Sequence, residues 1–217
     1  MAAAKRKPRS TGLTAERIRE AALVLIDAEG LDAFSTRRLG AALGCEAMAI
    51  YWYYPSKEAL LDAVVDELVQ RIGGGDYANA RPDDDWIDAL RKLAHAYRRL
   101  AHKHPNAFPL LATRRFATEG TWRFLEGLFD LARREGLDDR TAARFFRLVS
   151  SYCSGVALDE LAGVRQADRK SPRPAPADFP RLASASAWLQ PEHYDDVFSF
   201  GLEVLLEALA RAPKKKR

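Results

Sequence analysis

The sequence predicts an all-α protein: a small N-terminal unit of helices followed by a larger helical region. Three observations carry that expectation. Apolar residues recur at helical spacing in nearly every segment, and no stretch alternates apolar and polar residues as a half-buried strand does. The breaks between segments carry Gly, Pro, Ser, Thr or Asp where helices begin and end. With 217 residues the chain is long enough for one or two domains with a real core.

Taken in order, Thr14 is placed to cap a first helix with Glu16 in its opening turn, and Ile18, Ala21, Ala22, Leu25 and Ile26 form one apolar stripe that Gly30 ends. Ser35 caps a short second helix through Thr36, Arg37, Leu39, Ala42 and Leu43, and Gly44 supplies the turn. A third helix is expected from Glu46 to about Tyr53. A fourth opens at Ser56, and Leu60, Leu61, Val64, Val65, Leu68 and Val69 make it too apolar for a free surface helix. Gly73-Gly74-Gly75-Asp76 and Arg81-Pro82-Asp83-Asp84-Asp85 then break the chain.

Beyond the break, Asp85 can cap a helix through Trp86, Leu90, Leu93, Tyr97 and Leu100 that ends near Lys103-His104-Pro105. A shorter helix from Ala107 to Arg115 is expected to be interrupted by Pro109. Trp122, Leu125, Leu128, Phe129 and Ala132 mark the next, stopped by Gly136. Asp138-Asp139 start a long helix to about Gly163, residues 164–180 read as a polar, Pro-rich loop, and Glu192 to Ala210 forms the last helix. The long and last helices are apolar on more than one face, which suggests a bundle completed by a second copy, with Phe200, Val204 and Leu205 at the dimer interface.

Two short helices joined by a glycine-containing turn make a helix-turn-helix, whose second helix can lie in the DNA major groove. Leu39, Leu43 and Ile50 can face inward, leaving Ala47, Met48, Tyr51 and Tyr53 for an outer surface. The stretch Phe34-Ser35-Thr36-Arg37-Arg38-Leu39, Leu43-Gly44, Ile50-Tyr51, Tyr54, Ser56-Lys57 and Leu60-Leu61 resembles the DNA-binding domain of the tetracycline-repressor (TetR) family over roughly residues 14–69. Ile50-Tyr51-Trp52 and Ala59-Leu60-Leu61-Asp62-Ala63 are most similar to the tetracycline-repressor branch. The chain departs from that branch at Tyr53, where a DNA-touching His is common.

The resemblance implies a dimer that reads a pseudo-palindromic operator in double-stranded DNA, and a second domain that encloses a small-molecule effector. Family positions for DNA contact fall on Thr36, Arg37, Ala47, Met48, Tyr51, Trp52, Tyr53, Ser56 and Lys57. Arg37 can reach a guanine edge, and Ala47 and Met48 a thymine methyl. Tyr51 and Tyr53 are placed for phosphates, as are Ser56 and Lys57 at a helix N-terminus. Trp52 serves packing or contact, and Arg38 reads as a solvated charge. Expected pocket residues are Tyr97, Phe108, Leu111, Phe116, Trp122, Phe145 and Tyr152; the aromatics among them are read first of all as core.

The formal charge of +4 conceals an asymmetry. Lys5, Arg6, Lys7 and Arg9 crowd one end, and Arg211, Lys214, Lys215, Lys216 and Arg217 the other. Of the 34 Lys and Arg, removing these nine leaves 25 against 30 acids. The organisation expected is therefore a basic arm over residues 1–13, a DNA-binding domain over 14–72, an effector-binding and dimerisation domain over 73–211, and a basic tail over 212–217. A basic arm preceding a helix-turn-helix can touch phosphates or a minor groove.

No window approaches ~18 consecutive apolar residues, so no membrane partner is expected. Cys45 and Cys153 read as free thiols of a reducing cytoplasm. No cofactor or metal is expected. The spacings of His95, His102 and His104 lack an i, i+4 pair, and His193 stands alone at a helix start. Leu111 falls where the resembled branch places a histidine that helps hold drug-bound magnesium, so a tetracycline–magnesium effector is rejected. No catalytic motif is present: G-x-S-x-G, the P-loop and G-x-G-x-x-G are all missing. The function expected is a sequence-specific transcriptional regulator, a repressor released by an apolar or aromatic effector. The alternatives are a regulator without an effector, and an all-α ligand carrier or enzyme.

Overall fold

The computed structural model describes residues 12–73, 85–114, 118–167 and 178–213, and these residues are helical and carry no strand. Within them the helices are α1 (Ala15–Glu29), α2 (Thr36–Leu43), α3 (Ala47–Ile50), α4 (Lys57–Gly73), α5 (Trp86–Lys103), α6 (Phe108–Thr113), α7 (Glu119–Arg134), α8 (Asp139–Ala167), α9 (Pro180–Ser186) and α10 (Tyr194–Ala210). The chain divides into two compact units, Met1–Gly74 with His104–Arg123, and Gly75–Lys103 with Phe124–Arg217.

In the first unit Thr14 and Ser35 cap their helices as read from the sequence, and Ser56 caps α4 in the same way. The Thr14 hydroxyl accepts from Arg17 N–H at 3.1 Å, that of Ser35 from Arg38 N–H at 3.3 Å, and that of Ser56 from Ala59 N–H at 3.0 Å. Ile18, Ala22, Leu23 and Ile26 of α1, Leu39 of α2, Ile50 of α3 and Leu60, Leu61, Val64, Val65 and Leu68 of α4 are buried. Leu23 lies off the expected stripe yet is buried, because α1 meets both α2 and α4.

Polar ties join this core to residues 104–120. Asp27 of α1 pairs with His104 Nδ1 at 2.5 Å and accepts Ala107 N–H at 3.3 Å, so its carboxylate caps α6, whose own N-cap residue is an alanine. Asp62 and Asp66 of α4 take Arg114 at 3.1 Å and the Thr118 hydroxyl at 2.6 Å. The sequence places residues 104–120 in the second domain, since nothing local signals partners some fifty residues away or more.

The second unit is built on α5, α8 and α10. Its core holds Trp86, Leu90, Leu128, Leu131, Val149, Cys153, Phe198, Leu202, Leu206 and Leu209. Asp85 caps α5 as expected, its carboxylate accepting from Ile87 N–H at 2.7 Å and Asp88 N–H at 3.1 Å. Tyr152 stacks on Phe198, and its hydroxyl donates to the Val197 and Phe198 carbonyls, both at 3.0 Å. Gly201 makes room for it: a Cβ there would stand 2.3 Å from the Tyr152 oxygen. Glu160, with 2% of its side chain exposed, accepts from Arg98 at 2.9 and 3.1 Å and contacts His102 at 2.8 Å, while Arg98 also reaches Asp195 at 2.5 Å. Burial works against the Arg98 charge, but the Glu160 and Asp195 carboxylates outweigh it and raise its pKa.

Three expectations about elements are corrected. The third helix is one turn, not the eight residues from Glu46 to Tyr53. Pro55 lacks an N–H and biases the residue before it away from helix, so Tyr53 and Tyr54 close the turn by donating to Ile50 O, each at 3.0 Å. Pro109 does not interrupt α6; it lies in the first turn, where a missing N–H costs no helix bond. Within the expected loop α8 runs on to Ala167, and α9 forms from Pro180. Helix α9 buries no residue and has no stripe to find.

Candidate nucleic-acid interface

The unit's outer face is assembled from α2, the glycine turn and α3. Gly44 adopts the left-handed conformation at φ 67° and ψ 33°, and its N–H is directed to the last carbonyls of α2. This reversal lets α3 start three residues later, at Ala47. Leu39 and Ile50 pin the two helices from below, both fully buried. What remains outside is unusual for a solvent surface: Met48 is 66% exposed, Trp52 45% and Tyr51 37%.

Arg37 is exposed at the start of α2 and takes no ion-pair partner among the described residues. Thr36 Oγ1 lies 3.1 Å from the Tyr51 hydroxyl, so two of the expected contact residues share one hydrogen bond across α2 and α3. Ala47 is half-buried at the start of α3. These six residues, Thr36, Arg37, Ala47, Met48, Tyr51 and Trp52, belong to the helix-turn-helix and its closing turn.

The other expected contacts are engaged elsewhere. Tyr53 does not present a free hydroxyl; it donates to Leu13 O at 2.6 Å. Lys57 Nζ donates to Phe34 O at 3.0 Å and sits 5.5 Å from the centre of the Phe34 ring, tying α4 to the loop before α2. Ser56 caps α4. Arg38 is not merely solvated but pairs with Glu29 of α1 at 2.7 Å. Apart from the Ser56 cap, none of these partners is local in sequence, and spacing alone could not reveal them.

The expected pocket residues fall in both units. Phe108 and Leu111 are buried in the first; Leu110 beside Leu111 is buried too, so a shift of one residue in the comparison would still place a leucine where a metal ligand is needed. Trp122 is 57% exposed rather than enclosed, being on the outer side of the first turn of α7. In the second unit Tyr97 contacts the Ser154 hydroxyl at 2.9 Å, and Phe145 and Tyr152 pack on the core. Phe116, Gly74-Gly75-Asp76 of the glycine break, the arm through residue 11 and the tail from 214 lie outside the described residues. No three potential metal ligands gather among the described residues, and no helix there is long and apolar enough to cross a membrane.

Of the residues expected at a dimer interface, Phe200 and Val204 are 72% and 52% exposed along α10. Leu205 is half-buried and packs on the core of its own unit.

Comparison with known proteins is consistent along the chain. Residues 18–64 match the model of bacterial regulatory proteins of the tetR family, and residues 79–212 that of the tetracyclin repressor-like C-terminal domain. The HTH-type transcriptional repressor DrrR1 of Streptomyces coeruleorubidus is 30% identical over 94% of this chain and 79% of its own length. A possible TetR family transcriptional regulator from Streptomyces coelicolor A3(2) superposes with a TM-score of 0.75 at 30% identity, over 91% of this chain and 98% of that one. The TetR family protein ActR of Streptomyces coelicolor, in complex with actinorhodin, gives 0.68 at 25% identity over 91% and 97%. With both of its parts matched, the chain belongs to the tetR family of bacterial transcriptional regulators.

Proposed function

We propose that this regulator is a cytoplasmic homodimer that represses by holding a pseudo-palindromic operator and lets go when a small apolar or aromatic molecule binds its second domain. Residues 14–72 read the DNA in this account, residues 73–211 dimerise and take the effector, and neither has a catalytic role. The observation that carries the reading is the exposed, rigidly backed face of Arg37, Met48, Tyr51 and Trp52 on a capped helix-turn-helix. A guanidinium without an ion-pair partner can meet a guanine edge, and the apolar side chains suit thymine methyls.

Dimerisation is supported by the stripe Val197, Phe200 and Val204, each more than half exposed at i, i+3 and i+7 of α10. Leu148 and Leu158 are exposed on α8 as well. The ActR complex with actinorhodin supports an organic effector, and the leucines at 110 and 111 speak against a metal-held one. A ligand preferring the released state by ~100-fold contributes about 2.7 kcal/mol per site, enough to change occupancy of a specific operator. The test is a gel shift on the DNA upstream of the chain's own gene, with hydrophobic ligands screened by tryptophan quenching in buffer containing a chelator. Release that required a divalent ion would contradict the effector class; binding without sequence preference would contradict the regulator itself.

A further inference from the structure

In the stretch from Ser35 to Tyr54, which builds the outward face, Glu46 is the one acid, beside the bases Arg37 and Arg38. It stands at the N-cap of α3, where a side-chain oxygen can accept from the free N–H groups of the first turn. Glu46 does not do so: its backbone is extended at φ −71° and ψ 146°, and its side chain makes no cap bond. The residue is exposed and takes no ion-pair partner among the described residues; Arg38 is already held by Glu29 at 2.7 Å. The main chain around it, by contrast, is fixed. Buried Gly40 of α2 lies so close that a Cβ there would stand 2.7 Å from Cys45 O and 3.2 Å from Ala47 N. Cys45 N–H donates to Gly40 O and Ala49 N–H to Glu46 O, both at 2.9 Å. An uncommitted carboxylate is thus carried on a rigid turn, directly before the outward-facing Met48.

On a surface that meets a polyanion such a group lowers affinity, because phosphates repel it and because it must give up water. An ionised carboxylate is an acceptor only, so it recovers that loss only where the groove offers it a donor. In the major groove the donors are cytosine N4 and adenine N6; guanine presents the acceptors N7 and O6, and thymine O4 and a methyl group. On adenine the amino group is flanked by the N7 lone pair, which repels a carboxylate, whereas on cytosine its neighbour is a C–H. We propose that Glu46 is a specificity-determining residue of operator recognition: its carboxylate accepts from cytosine N4 at one position of each half-site and rejects the other bases there. The proposal rests on the DNA-binding function above and deepens it. Arg37 and Glu46 are then opposites on one face, a donor-only group that suits guanine and an acceptor-only group that suits cytosine.

Competition binding on the full chain tests this. An operator is selected from a pool of random duplexes, and each base pair of its half-site is replaced in turn by the other three. The parent, Glu46→Ala and Glu46→Gln are compared after circular dichroism and a thermal midpoint establish that each is folded. Glu46→Ala should lose about tenfold of discrimination at one position per half-site, a cytosine in the parent's operator, and leave the other positions unchanged. It should also bind non-specific duplex about two- to fivefold more tightly at low salt, a gain that fades as added salt screens the repulsion. Glu46→Gln should move the preference at the same position toward adenine, since an amide accepts from N6 while donating to N7. A profile in Glu46→Ala identical to the parent's would overturn the proposal, as would a parent preference for any base but cytosine at the position that changes. An equal loss on every duplex in both variants would overturn it too, for that is what damage to the turn produces. If the parent shows no preference among duplexes, the proposed function falls first; a selective parent whose profile Glu46→Ala leaves intact sinks this inference alone.

Discussion

Replacing Glu160 with Ala probes the charged knot that holds α5, α8 and α10 together. Glu160 is almost wholly enclosed and accepts two bonds from Arg98, whose own side chain is 15% exposed, while His102 contacts the same carboxylate. Removing the carboxylate leaves the Arg98 charge half-satisfied, since Asp195 is 90% exposed and holds it only from the solvent side. Breaking a buried pair by deleting one partner costs about 3–5 kcal/mol, much more than the pair contributes net, because the remaining charge keeps its desolvation penalty. For a chain of this size that predicts a fall in thermal midpoint of roughly 6 °C or more, measured at fixed protein concentration because dimerisation moves the midpoint. Glu160→Gln should cost less, as the amide oxygen still accepts from Arg98. Converting both partners, Arg98→Met with Glu160→Met, should recover much of the loss. A change below about 0.5 kcal/mol for Glu160→Ala in urea unfolding, the level expected of an ordinary surface substitution, would refute the reasoning.

Further expectations concern the operator, the dimer and the thiols. Arg37→Ala should cost about 1–3 kcal/mol in operator affinity and relax preference at one position per half-site, as read by competition with substituted operators. Tyr51→Phe should weaken specific and non-specific binding alike, since it removes a hydroxyl that Thr36 orients rather than a base contact. Phe200→Glu should leave helicity intact and shift sedimentation to the monomer, because the ring is exposed in a single chain; an unchanged dimer would remove α10 from the interface. Leu205→Glu is a poorer test, since it also disturbs the core. Burial pushes the Cys153 thiol up to about 12, so it should stay protonated and inert to a thiol reagent at pH 8 until the protein unfolds.

What the sequence discloses about this molecule is its local chemistry. Thr14, Ser35 and Asp85 each cap the helix they were expected to cap, and Ser56 caps the helix it was expected to open, because a cap depends on residues three positions away. The stripes of α1 and α4 were legible for the same reason. The length of α3 was not, although Pro55 was the available signal; helical spacing in Tyr51-Trp52-Tyr53 hid it. Short α9, which buries nothing, has no period to detect. Contacts across long separations were beyond reach: Arg38 with Glu29, Lys57 with Phe34 O, Asp27 with His104 and Tyr53 with Leu13 all depend on how helices pack. At the interface, therefore, the residue types were readable, while the division between those that face outward and those that hold the unit together was not.

The central claim is that this chain reads DNA through the face bearing Arg37, Met48, Tyr51 and Trp52. Footprinting on the DNA upstream of its own gene, near 150 mM salt and with excess non-specific duplex, tests it most directly. The account predicts two protected half-sites related by a two-fold axis, centred about one helical turn or a multiple apart, with protection lost in Arg37→Ala. Protection that spreads without sequence preference and disappears as salt rises would contradict it, for binding would then be general attraction of cations to a polyanion.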